Sequence, residues 1–187
     1  RSPERSLHFY KDLLGMRTVF TMNAGPFTLY YLGYPPASAI SSDSDSASAD
    51  ADPAKALQDW VAATSDTGTL TQTLGLLELY HVHGTEKPVE EGGFELSTGN
   101  DVPHLGFGHV GFTVPDVPAA VERLRKNGVR VYKELGDISK EKVPISDWEV
   151  KRGVGVQDVH PNYARFWGQI AFVLDPVCLP FFSLNFG

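Results

Sequence analysis

The stretch GFGHVGFTVPDV, Gly106–Val117, predicts a strand that turns directly into a helix. Its apolar residues Val110, Phe112 and Val114 alternate with small or polar residues, which is typical of a half-buried strand with one apolar face. Asp116 is a favourable N-cap for the segment that follows, in which apolar residues recur at helical spacing. This stretch therefore opens a β-α unit.

Strands are predicted on both sides of this unit, and they make the two halves of the chain similar. After the helix, aromatic and β-branched runs predict three strands, at 129–135, 169–174 and 179–186. In the first half a helix begins at Ser2-Pro3, and strands are predicted at 16–22, 27–32 and 74–82. The halves match if one strand precedes Arg1. We therefore predict an α+β fold of two βαβββ modules, the first strand truncated.

The predicted boundaries put the first module at 1–83, a linker at 84–105 and the second module at 106–187. Each module carries one insertion. The first, 35–56, consists of Ser, Ala and Asp with almost no large apolar residue, so we expect a mobile acidic segment. The second, 136–167, contains several aromatic residues, so we expect it to pack.

Composition excludes several classes of protein. The 187 residues hold 16 Lys and Arg against 23 Asp and Glu, and a net charge of −7 argues against nucleic acid as a partner. No apolar run approaches the roughly 20 residues that a membrane span needs. The single Cys178 excludes an intrachain disulfide framework and a cysteine-rich zinc site. No signal-peptide pattern opens the chain, so we expect a cytoplasmic protein.

Two polar residues in predicted strands are candidates for chemistry. Glu78 lies in mid-strand between leucines, where a carboxylate is costly to bury unless it is paired or holds a metal. His109 lies opposite the apolar face of its strand, beside Gly111 and Thr113, which leave room around an imidazole. Each residue has an equally simple structural explanation, because a solvated strand Glu and a structural His are both common.

Several motifs together are similar to those of the glyoxalase I family, which has the vicinal-oxygen-chelate fold. They are GLLELYHVHGTE (75–86), PHLGFGHVGFTVPDV (103–117), SPERSLHFYKDLLGMRTVF (2–20), FTLYYLGY (27–34) and QIAFVLDP (169–176). The resemblance implies two βαβββ modules that form a curved mixed sheet around a divalent metal, zinc or nickel. Family members commonly form homodimers, although monomers also exist.

The resemblance also implies an activity. In the family, a metal and a carboxylate base convert the hemithioacetal of methylglyoxal and glutathione into S-lactoylglutathione. Glu78 and His109 match two of the four ligands, and a Gln ligand would lie before Arg1. The fourth ligand, the catalytic Glu, is replaced by Phe182, which can neither bind metal nor move a proton. The catalytic residue is therefore unknown.

The family's glutathione contacts are only partly present. Val82 stands where the family has an Asn, and Leu105 stands where it has an Arg. Lys133 matches a family Lys, and Arg165 is a candidate for a second cation. We therefore predict Lys133 and Arg165 as substrate-binding residues, with ordinary surface cations as the alternative.

Two other functions stay open. The chain could have a glyoxalase fold that has lost the reaction and binds or converts a different small molecule, with the second insertion acting as a lid. A ring-cleaving dioxygenase would need iron held by two His and a Glu, and only His109 is well placed for that set.

Overall fold

The computed structural model describes residues 2–39, 52–93, 97, 99, 101–176 and 182–186, the last range by its backbone alone. The chain divides into two compact units, Arg1–Phe94 and Glu95–Gly187. The division falls inside the predicted linker 84–105. In the part of the chain that the structure describes, no helix is long and apolar enough to cross a membrane.

The first unit is a three-stranded antiparallel sheet with helices before and between its strands. Its sheet order is β1-β2-β3, so the three predicted strands are confirmed, whereas the loop predicted between the last two contains two helices. The elements in chain order are α1 (Pro3–Leu7), a π-helical segment (His8–Leu13), β1 (Arg17–Asn23), β2 (Phe27–Gly33), a 3-10 turn (Ala37–Ala39), α2 (Pro53–Ser65), α3 (Thr67–Leu70), β3 (Leu77–Val82) and a 3-10 turn (Val89–Glu91).

The opening helix forms for reasons that are local in the sequence. The Ser2 side chain accepts a hydrogen bond from the backbone of Arg5, and Pro3 fits the first helical position because it needs no N–H partner there. The helix continues with π geometry and buries Phe9 and Tyr10 almost completely. These side chains contribute to the core of the first unit.

The second unit has the predicted βαβββ order. Its sheet runs β4-β7-β6-β5, with β4 and β7 parallel and the other pairs antiparallel. Asp116 caps α4 by accepting a hydrogen bond from the backbone N–H of Ala119, and α4 packs against β6 and β7. The elements are β4 (Val110–Val114), α4 (Val117–Lys126), β5 (Val131–Lys133), a 3-10 turn (Lys140–Lys142), α5 (Asp147–Val150), α6 (Pro161–Trp167), β6 (Ala171–Val173) and β7 (Phe182–Phe186).

The first insertion is only partly as expected. Residues 40–51 lie outside the described part, but the prediction of a mobile segment is wrong for 53–56, which form the first turn of α2. Asp52 caps this helix and Pro53 occupies its first position, two signals that composition alone overlooked. Thr64 is buried and Trp60 is half-buried, and α2 contacts β1, so tertiary contact supports the helix.

The second insertion packs at its C-terminal end, as predicted. Trp167 is only 2% exposed and joins Ile170 and Phe172 in a core cluster. By contrast, Tyr163 and Phe166 on the same helix are exposed. The insertion is thus anchored through Trp167 and through Val143, which packs against the same cluster, while Tyr163 and Phe166 remain at the surface.

Candidate functional site

Glu78 lies on an open face of the first sheet. Exposure alternates along β3, so that Glu78, Tyr80 and Val82 are exposed while the residues between them are half-buried. The cross-strand partner of Glu78 is Tyr31 on β2. The phenol of Tyr31 donates a hydrogen bond to Oε2 of Glu78 at 2.5 Å. The carboxylate is therefore held by one specific contact.

Aromatic side chains surround this pair. Phe27 stacks on Tyr80 with ring centroids 4.5 Å apart, and the edge of Phe20 meets Tyr31 at 6.0 Å. The hydrogen bond to Glu78 raises the pKa of Tyr31, because ionising the phenol would remove the proton that it donates. We call this face, defined by Phe20, Phe27, Tyr31, Glu78 and Tyr80, the Glu78 face.

The two histidines at the end of β3, His81 within the strand and His83 just after it, belong to a different environment. The Nε2 atom of His81 lies 2.6 Å from Oε1 of Glu86, an ion-pair approach rather than a well-aligned hydrogen bond. His83 shares a hydrogen bond of 2.8 Å with the hydroxyl of buried Thr28. The pKa of the Glu86 carboxyl is lowered by a hydrogen bond from its own backbone N–H and by the side chain of His81. These histidines therefore hold the turn after β3 and do not join Glu78.

His109 lies immediately before β4 in the second unit. Its side chain is exposed, and its ring meets the edge of Phe172 on β6 at a centroid distance of 5.2 Å. Phe172 is itself only 1% exposed. The imidazole thus contacts a core side chain while it stays open to solvent.

Phe182 is described by its backbone alone. It begins β7, where it pairs with Val110 of β4 and with Val173 of β6. The register therefore sets Phe182 opposite the residue after His109. The prediction that Phe182 occupies the position of a catalytic Glu remains a prediction, because its side chain lies outside the described part.

Lys133, predicted to bind a substrate anion, is fully buried. Its ammonium donates to the carbonyls of Ile170 at 2.6 Å, Trp167 at 2.8 Å and Glu134 at 3.2 Å, and it lies 4.7 Å from the centre of the Trp167 ring. All three N–H donors are used, so a substrate anion finds none free in this arrangement. Burial lowers the pKa of Lys133. These contacts favour a structural role.

Arg165 differs from Lys133 in being exposed, on α6. The structure thus separates the two predicted substrate-binding cations, one in the core and one at the surface. Sequence reasoning did not identify Tyr31 at all. Tyr31 could have been found by aligning the two predicted strands in antiparallel register. That register pairs the second tyrosine of FTLYYLGY, which is Tyr31, with Glu78.

The donors present fit a divalent metal in kind. A carboxylate oxygen and an imidazole nitrogen are ordinary zinc ligands, and both Glu78 and His109 are exposed. They belong to different units. Within the described residues, no group of three or more His, Cys, Asp or Glu side chains is arranged to hold a metal ion. Neither unit therefore offers a complete ligand set from its described residues.

Comparisons of this chain with a family model and with individual proteins indicate the same family of proteins. A family model described as "Glyoxalase/Bleomycin resistance protein/Dioxygenase superfamily" matches residues 1–141. A lactoylglutathione lyase from Pseudomonas putida is 34% identical over 72% of this chain and 65% of its own length. Another, from Pseudomonas aeruginosa, is 30% identical over 79% of this chain and 71% of its own length.

The chain spans only part of some relatives. Glyoxalase I from Saccharomyces cerevisiae is 28% identical over 73% of this chain but over only 35% of its own length. A crystal structure of a glyoxalase I mutant from Zea mays is 17% identical, covers 98% of this chain and 40% of that chain, and gives a TM-score of 0.51. At this level of identity the structural likeness supports the fold alone.

Proposed function

The chain belongs to the Glyoxalase/Bleomycin resistance protein/Dioxygenase superfamily, and from this premise we propose that it is a lactoylglutathione lyase. The proposed reaction is the metal-dependent isomerisation of the methylglyoxal–glutathione hemithioacetal to S-lactoylglutathione. The similarity to two lactoylglutathione lyases supports it. The observation that carries it is the open carboxylate of Glu78, held on an aromatic sheet face.

Glu78 and His109 would hold the metal, zinc or nickel. When bound, such an ion acts as a Lewis acid toward the vicinal oxygens of the substrate. The chain's own contributions are distinct from this chemistry. Tyr31 orients the Glu78 carboxylate, and the stacked rings of Phe27 and Tyr80 lie on the same face of the sheet.

The remaining parts of the proposal concern substrate and setting. Arg165, as an exposed cation, is the better placed of the two predicted cations to meet a carboxylate of glutathione. We further propose a cytoplasmic role in removing methylglyoxal, and a homodimer as the assembly to test by light scattering. Phe182 carries no proton-accepting group, so the base has to be a different residue.

The direct test is a thioester absorbance assay with methylglyoxal and glutathione, on the chain loaded with zinc or nickel. We expect activity that is lost in Glu78→Gln. Glu86→Gln is a matched control, since Glu86 is an exposed carboxylate in the turn after the same strand and pairs with His81. Equal activity in wild type and Glu78→Gln would refute the assignment of Glu78.

A second candidate is a glyoxalase-fold protein that has lost this reaction and binds a different small molecule. Two observations favour it. Val82, which stands where the family has an Asn, is exposed on the same strand face as Glu78. The Lys133 ammonium already donates hydrogen bonds to main-chain carbonyls. The variant Phe182→Glu separates the two candidates. No activity in wild type with either metal, together with a gain in Phe182→Glu, would support loss of the base and exclude the active lyase.

A further inference from the structure

We propose that Tyr31 is a positioning residue for Glu78, which it holds with Oε2 occupied so that Oε1 is the oxygen presented to a cation. This inference rests on the proposed function, in which Glu78 is a metal ligand. It concerns a contact within the first unit only, between two neighbouring strands of one sheet.

The geometry of the contact is that of a strong hydrogen bond. Tyr31 and Glu78 are directly paired in the antiparallel register, so their side chains leave the sheet on the same face. The oxygen–oxygen distance of 2.5 Å lies at the short end of the range for a neutral hydroxyl and a carboxylate. Such charge-assisted hydrogen bonds are about twice as strong as those between neutral groups.

The phenol is itself held in place. Tyr31 is half-buried, and the ring of Phe20 on β1 meets its ring edge-on at 6.0 Å. Glu78, by contrast, is exposed, so without this contact its carboxylate would sample several rotamers in solvent. The partly immobilised tyrosine therefore supplies the orientation that an exposed glutamate lacks. It also favours binding of a cation through one carboxylate oxygen rather than two.

A partner of this kind has a measurable effect on a metal ligand. Removing a hydrogen-bonding neighbour of a ligand typically weakens metal affinity or activity by roughly 10- to 100-fold. We expect an effect of this size in Tyr31→Phe, which deletes the hydroxyl and leaves the ring packing on Phe20. Tyr30→Phe is the matched control, because Tyr30 pairs with Leu79 and its side chain leaves the opposite face of the sheet.

The measurement is the zinc dissociation constant of the full chain, obtained by competition with a chelator, with a cobalt absorption spectrum as a second readout. We expect weaker binding in Tyr31→Phe, with affinity unchanged to within about twofold in Tyr30→Phe. At saturating metal, kcat of Tyr31→Phe should recover, because the hydroxyl acts on the ligand and not on the substrate. Far-ultraviolet circular dichroism checks that both variants fold.

The outcomes separate this inference from the function on which it rests. If Glu78→Gln lowers zinc affinity while Tyr31→Phe binds like wild type, the positioning role is overturned and the metal-ligand assignment stands. If Glu78→Gln also binds zinc like wild type, both are overturned. In a double-mutant cycle, Tyr31→Phe should have no effect on zinc affinity in the Glu78→Gln background. An equal loss in both backgrounds would show that the hydroxyl acts independently of Glu78.

Discussion

Replacement of Lys133 by Met tests the structural role that its contacts indicate. Methionine keeps a long, flexible side chain of similar reach but removes the ammonium group. The carbonyls of Ile170 and Trp167 then lose donors at 2.6 and 2.8 Å, and the carbonyl of Glu134 loses a longer contact at 3.2 Å. The cation also leaves the Trp167 ring, whose centre lies 4.7 Å away. We expect the second unit to lose stability.

The magnitude follows from opposing contributions. Hydrogen bonds from a charged donor contribute about 1.5–3 kcal/mol each, so the two short bonds amount to roughly 3–6 kcal/mol before any offset. Removing a fully buried charge relieves its desolvation cost, which offsets part of that loss. We therefore expect the free energy of unfolding to fall by about 2–4 kcal/mol. For a chain of this size each kcal/mol corresponds to a Tm lower by about 2–4 °C.

Urea denaturation followed by tryptophan fluorescence and circular dichroism measures this change. The matched control is Lys126→Met, because the Lys126 side chain is 72% exposed and makes only a long ion pair on the surface of α4. The control should change the free energy of unfolding by less than about 0.5 kcal/mol. Equal midpoints for Lys133→Met and Lys126→Met would refute the reasoning.

The pH dependence gives an independent check on Lys133. Burial lowers its pKa in the folded state, so over the interval between that value and the unfolded pKa the unfolded chain binds more protons. Stability should therefore rise with pH across this interval through the Lys133 contribution. The rise should be absent from Lys133→Met and present in Lys126→Met.

Two further predictions follow from single contacts. Asp116→Ala removes the helix cap that accepts a hydrogen bond from the N–H of Ala119 at 2.8 Å. This substitution should lower the free energy of unfolding, measured in urea, by about 1 kcal/mol. The control Asp158→Ala should leave it unchanged, because the Asp158 side chain is fully exposed. The raised pKa of Tyr31 should appear in an alkaline absorbance titration as a late tyrosine step that moves to lower pH in Glu78→Gln. The folded state keeps the phenol proton of Tyr31 to higher pH than the unfolded chain does. The stabilisation from the Tyr31–Glu78 hydrogen bond is therefore lost as pH rises through the folded-state pKa of Tyr31. An unmoved step would contradict the contact.

Much of the fold was predictable because its signals are local. The alternation along β4 and the Asp116 cap are encoded within a few residues, and both are present in the structure. The order of strands and helices in the second unit followed from such segments taken in sequence. The helices that were not predicted are α2 and α3 in the first unit and the short helices of the second insertion. They were missed because loop-like composition or a short length hid their caps, and α2 also packs against β1, a contact that is not local.

The site was less predictable, because its contacts join residues that are far apart in the chain. By itself the sequence determined the two modules, the family resemblance and the candidates Glu78 and His109. Only the tertiary structure decided that Tyr31 meets Glu78 across 47 positions and that Lys133 meets carbonyls 34 and 37 positions away. Strand register and the burial of a side chain depend on which segments pack together, and neither is set by the residues next to it. The same lysine was predicted from the sequence to bind a substrate anion, and it lies in the core of the fold.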